Sequence, residues 1–189
     1  LAGAYASQAA WGWAPLGPTF ELAREAAERA LEIAPDLPEA HAELAWIRMT
    51  FDWNWLGAEQ SYRRALVLGS GNRSIVVGAS LLADNLGQSA DALALARRAV
   101  ELDPMCSIAH GNLALRAFNA GRLDEAAAAA AAALAIQPRG GLLHWTMGTI
   151  RLAQGQVDAA LEAFGREEHE RLRLQGRALA AHADGHALD

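Results

Sequence analysis

Apolar residues recur along this chain at helical spacing, in runs that stop at proline or glycine. Residues 20–34 place Leu22, Ala23, Ala26, Ala27, Ala30, Leu31 and Ile33 on one broad face. Thr19 is the predicted N-cap of that helix and Pro35 its stop. Before it, Tyr5 to Trp13 reads as a degenerate helix, broken by Pro15, Gly17 and Pro18. Pro38 opens the next helix, which continues through Ala42, Ala45, Trp46 and Met49. The segment F-D-W-N-W at 51–55 alternates, but it has no second strand to pair with. Asp52 or Asn54 is expected instead to cap a helix that turns Ala58, Tyr62, Ala65, Leu66 and Leu68 inward. Further helices are expected over 73–86, 89–102, 107–120, 123–136, 142–154, 157–168 and 171–183.

These helices repeat. Ala30, Ala65, Ala99, Ala133 and Glu167 are separated by 35, 34, 34 and 34 residues. Pro35, Ser70, Pro104 and Pro138 keep the same spacing, as do Ala45, Ser80, Ala114 and Gly148; Gly87, Gly121 and Gly155 are 34 apart. Coincident ladders of this kind mark a repeat in which a helix pair cannot bury both apolar faces alone and stacks on its neighbours. The small residues let the helices approach, and the glycines close the first helix of each pair. A single domain over 1–189 is expected, with units near 1–35, 36–70, 71–104, 105–138 and 139–170 and a last helix over 171–183.

The turn glycines in G-Q-S-A-D-A, G-R-L-D-E-A and G-Q-V-D-A-A, with ends such as A-V-E-L-D-P and A-L-A-I-Q-P, resemble the tetratricopeptide repeat (TPR) family over nearly the whole chain. That resemblance implies an all-α fold, a right-handed superhelical solenoid of antiparallel helix pairs. Departures are Glu167 in place of alanine, Ser70 in place of proline, and the degenerate first helix. A-L-E-I-A-P-D-L-P-E-A-H followed by F-D-W-N-W-L-G-A-E-Q-S-Y-R-R-A-L also looks like the repeat regions of bacterial regulators that carry winged-helix or adenylate/guanylate cyclase domains. No such effector domain lies in these residues.

Composition narrows the function classes. All sixteen basic residues are arginine and the formal net charge is −6, which gives no support for a nucleic-acid partner. One cysteine, Cys106, excludes an internal disulfide and a cysteine-built zinc site. No apolar run is long enough for a membrane helix, and a cytoplasmic location is expected. The chain starts at Leu1, not Met, and reads as a piece of something longer. No phosphate loop, nucleophile–base set or paired catalytic carboxylates are evident, so neither enzyme activity nor a cofactor is expected. Glu167, Glu168 and Glu170 read as a solvated charge run.

The TPR resemblance implies a protein or peptide partner on the concave face, lined by the first helices of successive pairs. By register the candidate contacts are Trp46, Met49, Leu81, Asn85, Asn112, Leu115, Phe118, Asn119, Trp145 and Thr149. An apolar groove of this kind suits an extended segment or a helix. A carboxylate clamp lacks its lysine here; Asn85, Asn112 and Asn119 with Arg48, Arg116 and Arg151 are the weaker substitute. His41, His110 and His144 recur at one repeat position and are expected to pack structurally; His182 and His186 lack a third metal ligand. Residues 53–55 are either the core of a turn or a protein contact. Trp11 and Trp13 are expected to seal the end of the array. The alternatives are a structural spacer or dimerisation module, and the non-catalytic part of a cyclase.

Overall fold

A computed structural model describes residues 15–140 and 142–185. The helix expected at 5–13, Trp11, Trp13 and His186 lie outside the described residues. These form ten helices and no strand: α1 (Leu16–Ile33), α2 (Pro38–Thr50), α3 (Trp55–Leu68), α4 (Arg73–Asn85), α5 (Ser89–Leu102), α6 (Ser107–Asn119), α7 (Leu123–Ile136), α8 (Leu143–Ala153), α9 (Val157–Gly165) and α10 (Glu170–Ala183). The chain divides into two compact units, Leu1–Leu95 and Ala96–Asp189, with the division inside α5.

In the first unit, α1 starts three residues earlier than its expected cap. Pro15 stands at the N-cap position and Pro18 sits in the first turn, where no intrahelical N–H bond is lost. Thr19 is inside the helix, and its hydroxyl donates back to the Pro15 carbonyl (2.6 Å). Among the described residues, α1 buries the apolar Phe20, Ala23 and Ala27 together with Thr19; Leu22 and Ile33, expected on that face, are exposed. The reason is spacing: positions 20, 23 and 27 make a narrow stripe on a 3.6-residue helix, and 22 and 33 fall to its side.

The turn after α2 is built by side chains. Phe51 stacks on Phe20 with ring centroids 5.0 Å apart. Asn54 caps α3, its side chain accepting from the Gly57 N–H (2.9 Å). Asp52 does not cap; Arg24 grips it with two bonds of 2.6 and 3.0 Å. The core behind the turn is Ala45, Met49, Ala58, Tyr62, Ala79 and Leu82, with Trp46 and Leu81 packed against it.

Gly87, Gly121 and Gly155 all have φ between 72° and 74°, the left-handed region that glycine enters without penalty. After each, an amide reaches back five residues, as from Arg122 to the Ala117 carbonyl (2.8 Å), and so satisfies a carbonyl at the helix end. The glycine ladder is thus a ladder of helix stops.

The second unit packs α6 against α7 through alanine: Ala114, Ala126, Ala130 and Ala133 are fully buried. At α8, α9 and α10 the filling is different. Phe164 is fully buried with Ala160 and Ala180, and Trp145 packs beside it. A Cβ at Gly148 or Gly176 would stand 2.4 or 2.3 Å from the Phe164 ring, so both glycines are required by that ring.

Candidate functional site

The first helices of the pairs are α2 and α4 in one unit and α6 and α8 in the other. On α2, Trp46 is half-buried and packs against two core clusters. Met49 is buried within the core, where the Asn85 amide approaches its sulfur at 3.7 Å. On α4, Leu81 is half-buried and Asn85 exposed. Met49 therefore shapes the surface from below and does not form it.

On α6, Ile108 is 64% and Leu115 42% exposed. They lie two turns apart on one face, and exposed Asn119 follows a turn later. Phe118 is half-buried beside them. Asn112 is buried, a departure from its expected place on the surface. Its Oδ1 accepts from Nε of Arg116 (3.3 Å), itself only 6% exposed. The cause is visible in the repeat: Arg116 occupies the slot held by Ile47, Leu82 and Ile150, at spacings of 35, 34 and 34 residues, all buried. Arg116, bonded to Asn112, has replaced a core aliphatic at this one repeat. A charged residue in an otherwise aliphatic ladder was the signal for it in the sequence.

On α8, Trp145 packs against the Phe164 ring at 5.2 Å. Thr149 is half-buried and its hydroxyl donates to the Trp145 carbonyl (3.0 Å). The arginines of a substitute clamp are engaged elsewhere. Arg48 donates to the Gly57 carbonyl and to Ser61 Oγ, so it braces the turn before α3. Arg151 donates to Gln154 and Gln156.

The expected solvated run breaks at its first residue. Glu168 and Glu170 are exposed, but Glu167 is only 3% exposed. Helix α8 follows Leu142, whose left-handed φ of 63° and apolar side chain supply no cap. Glu167 supplies the missing acceptor: its carboxylate takes the Trp145 N–H (3.1 Å) and the His169 N–H (3.3 Å). A carboxylate at a helix N-terminus also meets the positive end of the helix dipole. The lost alanine in the ladder is thus an exchanged role. Beside it a recess of about 240 Å³ is lined by Arg139, Gly140, His144, Glu168 and His169.

His41, His110 and His144 each donate from Nε2 to the carbonyl of the proline six residues upstream, at 2.9, 2.9 and 3.0 Å. They fasten the entry to the first helix of a pair, the packing role that their spacing indicated. Among the described residues, no group of three His, Cys, Asp or Glu is placed to hold a metal. No helix among them is long and apolar enough to cross a membrane. Burial raises the pKa of Glu43, and it raises that of Tyr62 as well, with the Glu43 charge adding to the effect.

Helix pairs of this length, closed by left-handed glycines and tightened by small residues at fixed register, decide the architecture. The fold is that of tetratricopeptide repeats. A sequence profile described as tetratricopeptide repeat matches residues 78–141. PilW, described as a widely conserved type IV pilus biogenesis factor, superposes with a TM-score of 0.81 at 22% identity, over 98% of this chain and 87% of its own. PilF of Pseudomonas aeruginosa gives 0.76 at 20% identity, over 97% and 84%. YrrB, described as a TPR protein with an unusual peptide-binding site, gives 0.67 at 22% identity, over 83% and 82%. No curated protein matches the chain in sequence. None of these three structures is described as a winged-helix or cyclase regulator.

Proposed function

We propose that this TPR array is a non-catalytic scaffold in a larger bacterial protein and binds a partner segment along the first helices of its pairs. The observation that carries this reading is the α6 face, where Ile108 and Leu115 stand in solvent with Asn119 beyond them. Exposed aliphatics in line with an amide fit an extended or helical segment, apolar contacts giving affinity and the amide giving direction. Leu81 and Asn85 offer the same pairing on α4. In the first unit the half-buried Trp46 flanks this pairing over buried Met49, and in the second the half-buried Phe118 stands beside Leu115. The fold likeness to YrrB supports a peptide as the occupant.

Linear peptides selected against the whole protein from a random library provide the test. Ile108→Glu with Leu115→Glu should weaken the selected peptides by about tenfold or more, roughly 1.4 kcal/mol, with the helical circular dichroism unchanged. Peptides that bind the double variant as tightly as the parent would place the site elsewhere.

A further inference from the structure

The second helices of the pairs carry an outward row as regular as the core. On α1 the row is Glu21, Glu25, Glu28 and Glu32, all exposed. Adding the 35-residue repeat gives the row on α3: Leu56, Gln60, Arg63 and Val67, also exposed. Leu56 is 74% and Val67 73% exposed, and Trp53, one turn before Leu56, is 71% exposed. At the position of Leu56, α7 and α9 have Asp124 and Asp158. The repeat therefore accepts acids there, and folding does not require the apolar residues of α3. Trp53 and Leu56 form an exposed apolar patch at the start of α3, and Val67 stands three turns on, past Gln60 and Arg63; exposed apolar patches mark interaction surfaces.

The turn that presents Trp53 is held firmly. Its φ of 56° is uncommon for a bulky residue. Arg24 holds Asp52 on one side, Asn54 caps α3 on the other, and Arg48 braces Gly57. Trp55 meets the Trp53 ring edge-on at 5.9 Å. A tryptophan fixed in this way binds with little loss of side-chain freedom.

Charge selects the occupant. Helices α1 and α3 both pack on α2; Arg24 of α1 pairs with Asp52 in the turn before α3, and Arg64 of α3 pairs with Asp36 in the turn after α1. In the α1 row, Glu21 and Glu32 pair with Arg24 and Arg29, whereas Glu25 and Glu28 have no ion-pair partner among the described residues. We propose that the outer row of α3 docks an amphipathic helix of a partner protein, its apolar seam on Trp53, Leu56 and Val67 and its basic flank over Glu25 and Glu28 of α1. This surface is separate from the first-helix face and stands whether or not that face binds.

Two synthetic helical peptides of about 18 residues, five turns, test it against the whole protein by fluorescence anisotropy. Both have a leucine seam; one carries lysines on a single flank and the other glutamates. The lysine peptide should bind at least about tenfold more tightly, with affinity falling as salt rises. Leu56→Glu with Val67→Glu should cost about tenfold, and Glu25→Gln with Glu28→Gln should remove most of the salt dependence, with thermal unfolding unchanged. Equal binding of the two peptides, or full binding to the Leu56→Glu, Val67→Glu variant, overturns the proposal. A loss caused instead by the Ile108→Glu, Leu115→Glu variant would assign the peptide to the first-helix face and also overturn it. So would light scattering that shows a dimer abolished by Leu56→Glu, since the occupant would then be a second copy.

Discussion

Helices α7 and α9 fill the same register slot in opposite ways. Ala130 and Phe164 are 34 residues apart, and both are fully buried. Around Ala130 the neighbours are alanines, and α6 and α7 come close through them. Around Phe164 two glycines, Gly148 and Gly176, clear the volume that the ring takes up. Tyr62 of α3 belongs to the same ladder and is buried in the first unit. The slot thus specifies burial, and the chain satisfies it by matching a large residue to vacancies or a small residue to small neighbours. Interiors are packed at crystal-like density, so each filling depends on its surroundings.

The largest expected effect follows from that dependence. Phe164→Ala should lower unfolding stability by about 3–5 kcal/mol, because the two glycines offer nothing that can close the void. Urea denaturation of the whole chain measures it. A loss near that of an ordinary surface change would mean that α8 and α10 collapse onto the alanine, and that the two fillings are interchangeable.

Arg116 sharpens the comparison at a second slot. Arg116→Ala leaves a cavity and removes the Nε bond to Asn112 Oδ1, and should cost about 2–4 kcal/mol. Arg116→Leu restores the aliphatic that Leu82 provides at the same register. It should recover more than half of that loss if volume governs the slot. Equal losses for the two variants would show that the polar bonds of Arg116 govern it.

These slots show how far the sequence could be read. Helix spacing, the glycine stops and the proline–histidine entries were legible because each is local or repeats at a fixed interval. The burial of Met49 and Asn112 was not, since register names a helix face only to within the width of one side chain. Thr19 was misplaced because proline is tolerated in a first turn, so the α1 boundary moved to Pro15. Glu167 was unreadable for another reason. Its partner is the amide of Trp145, 22 residues earlier, and no local pattern announces a cap supplied from the turn between two later helices. The exposed row on α3 is open to the register, but it lies outside the first helices to which the TPR resemblance assigns contacts.

That exchanged role of Glu167 is the next test. Its slot holds Ala65, Ala99 and Ala133 in earlier repeats. Glu167→Ala therefore restores the repeat residue yet removes the acceptor for the α8 amide. A loss of about 1–2 kcal/mol is expected, the size of a lost N-cap. Equal or greater stability in the alanine variant would show that the register outweighs the cap.

The smallest effect concerns Glu43, whose slot holds Gly78, Asn112 and Thr146 in the later repeats. Glu43 is the one acid among them, and burial raises its pKa. The folded chain thus binds this proton more tightly than the unfolded chain does. Stability from Glu43 is then complete below the ordinary carboxylate value, roughly 4.3, and is lost as pH rises through the raised folded value. At neutral pH the ionised carboxylate opposes folding. Glu43→Gln should raise the unfolding temperature at pH 7 and leave it unchanged near pH 3.5, where the parent side chain is already neutral. Other carboxylates titrate alike in parent and variant, so the difference between the two melting curves isolates this group. A shift of the same size at both pH values would trace the gain to packing and remove charge burial as the distinction between Glu43 and its neutral counterparts.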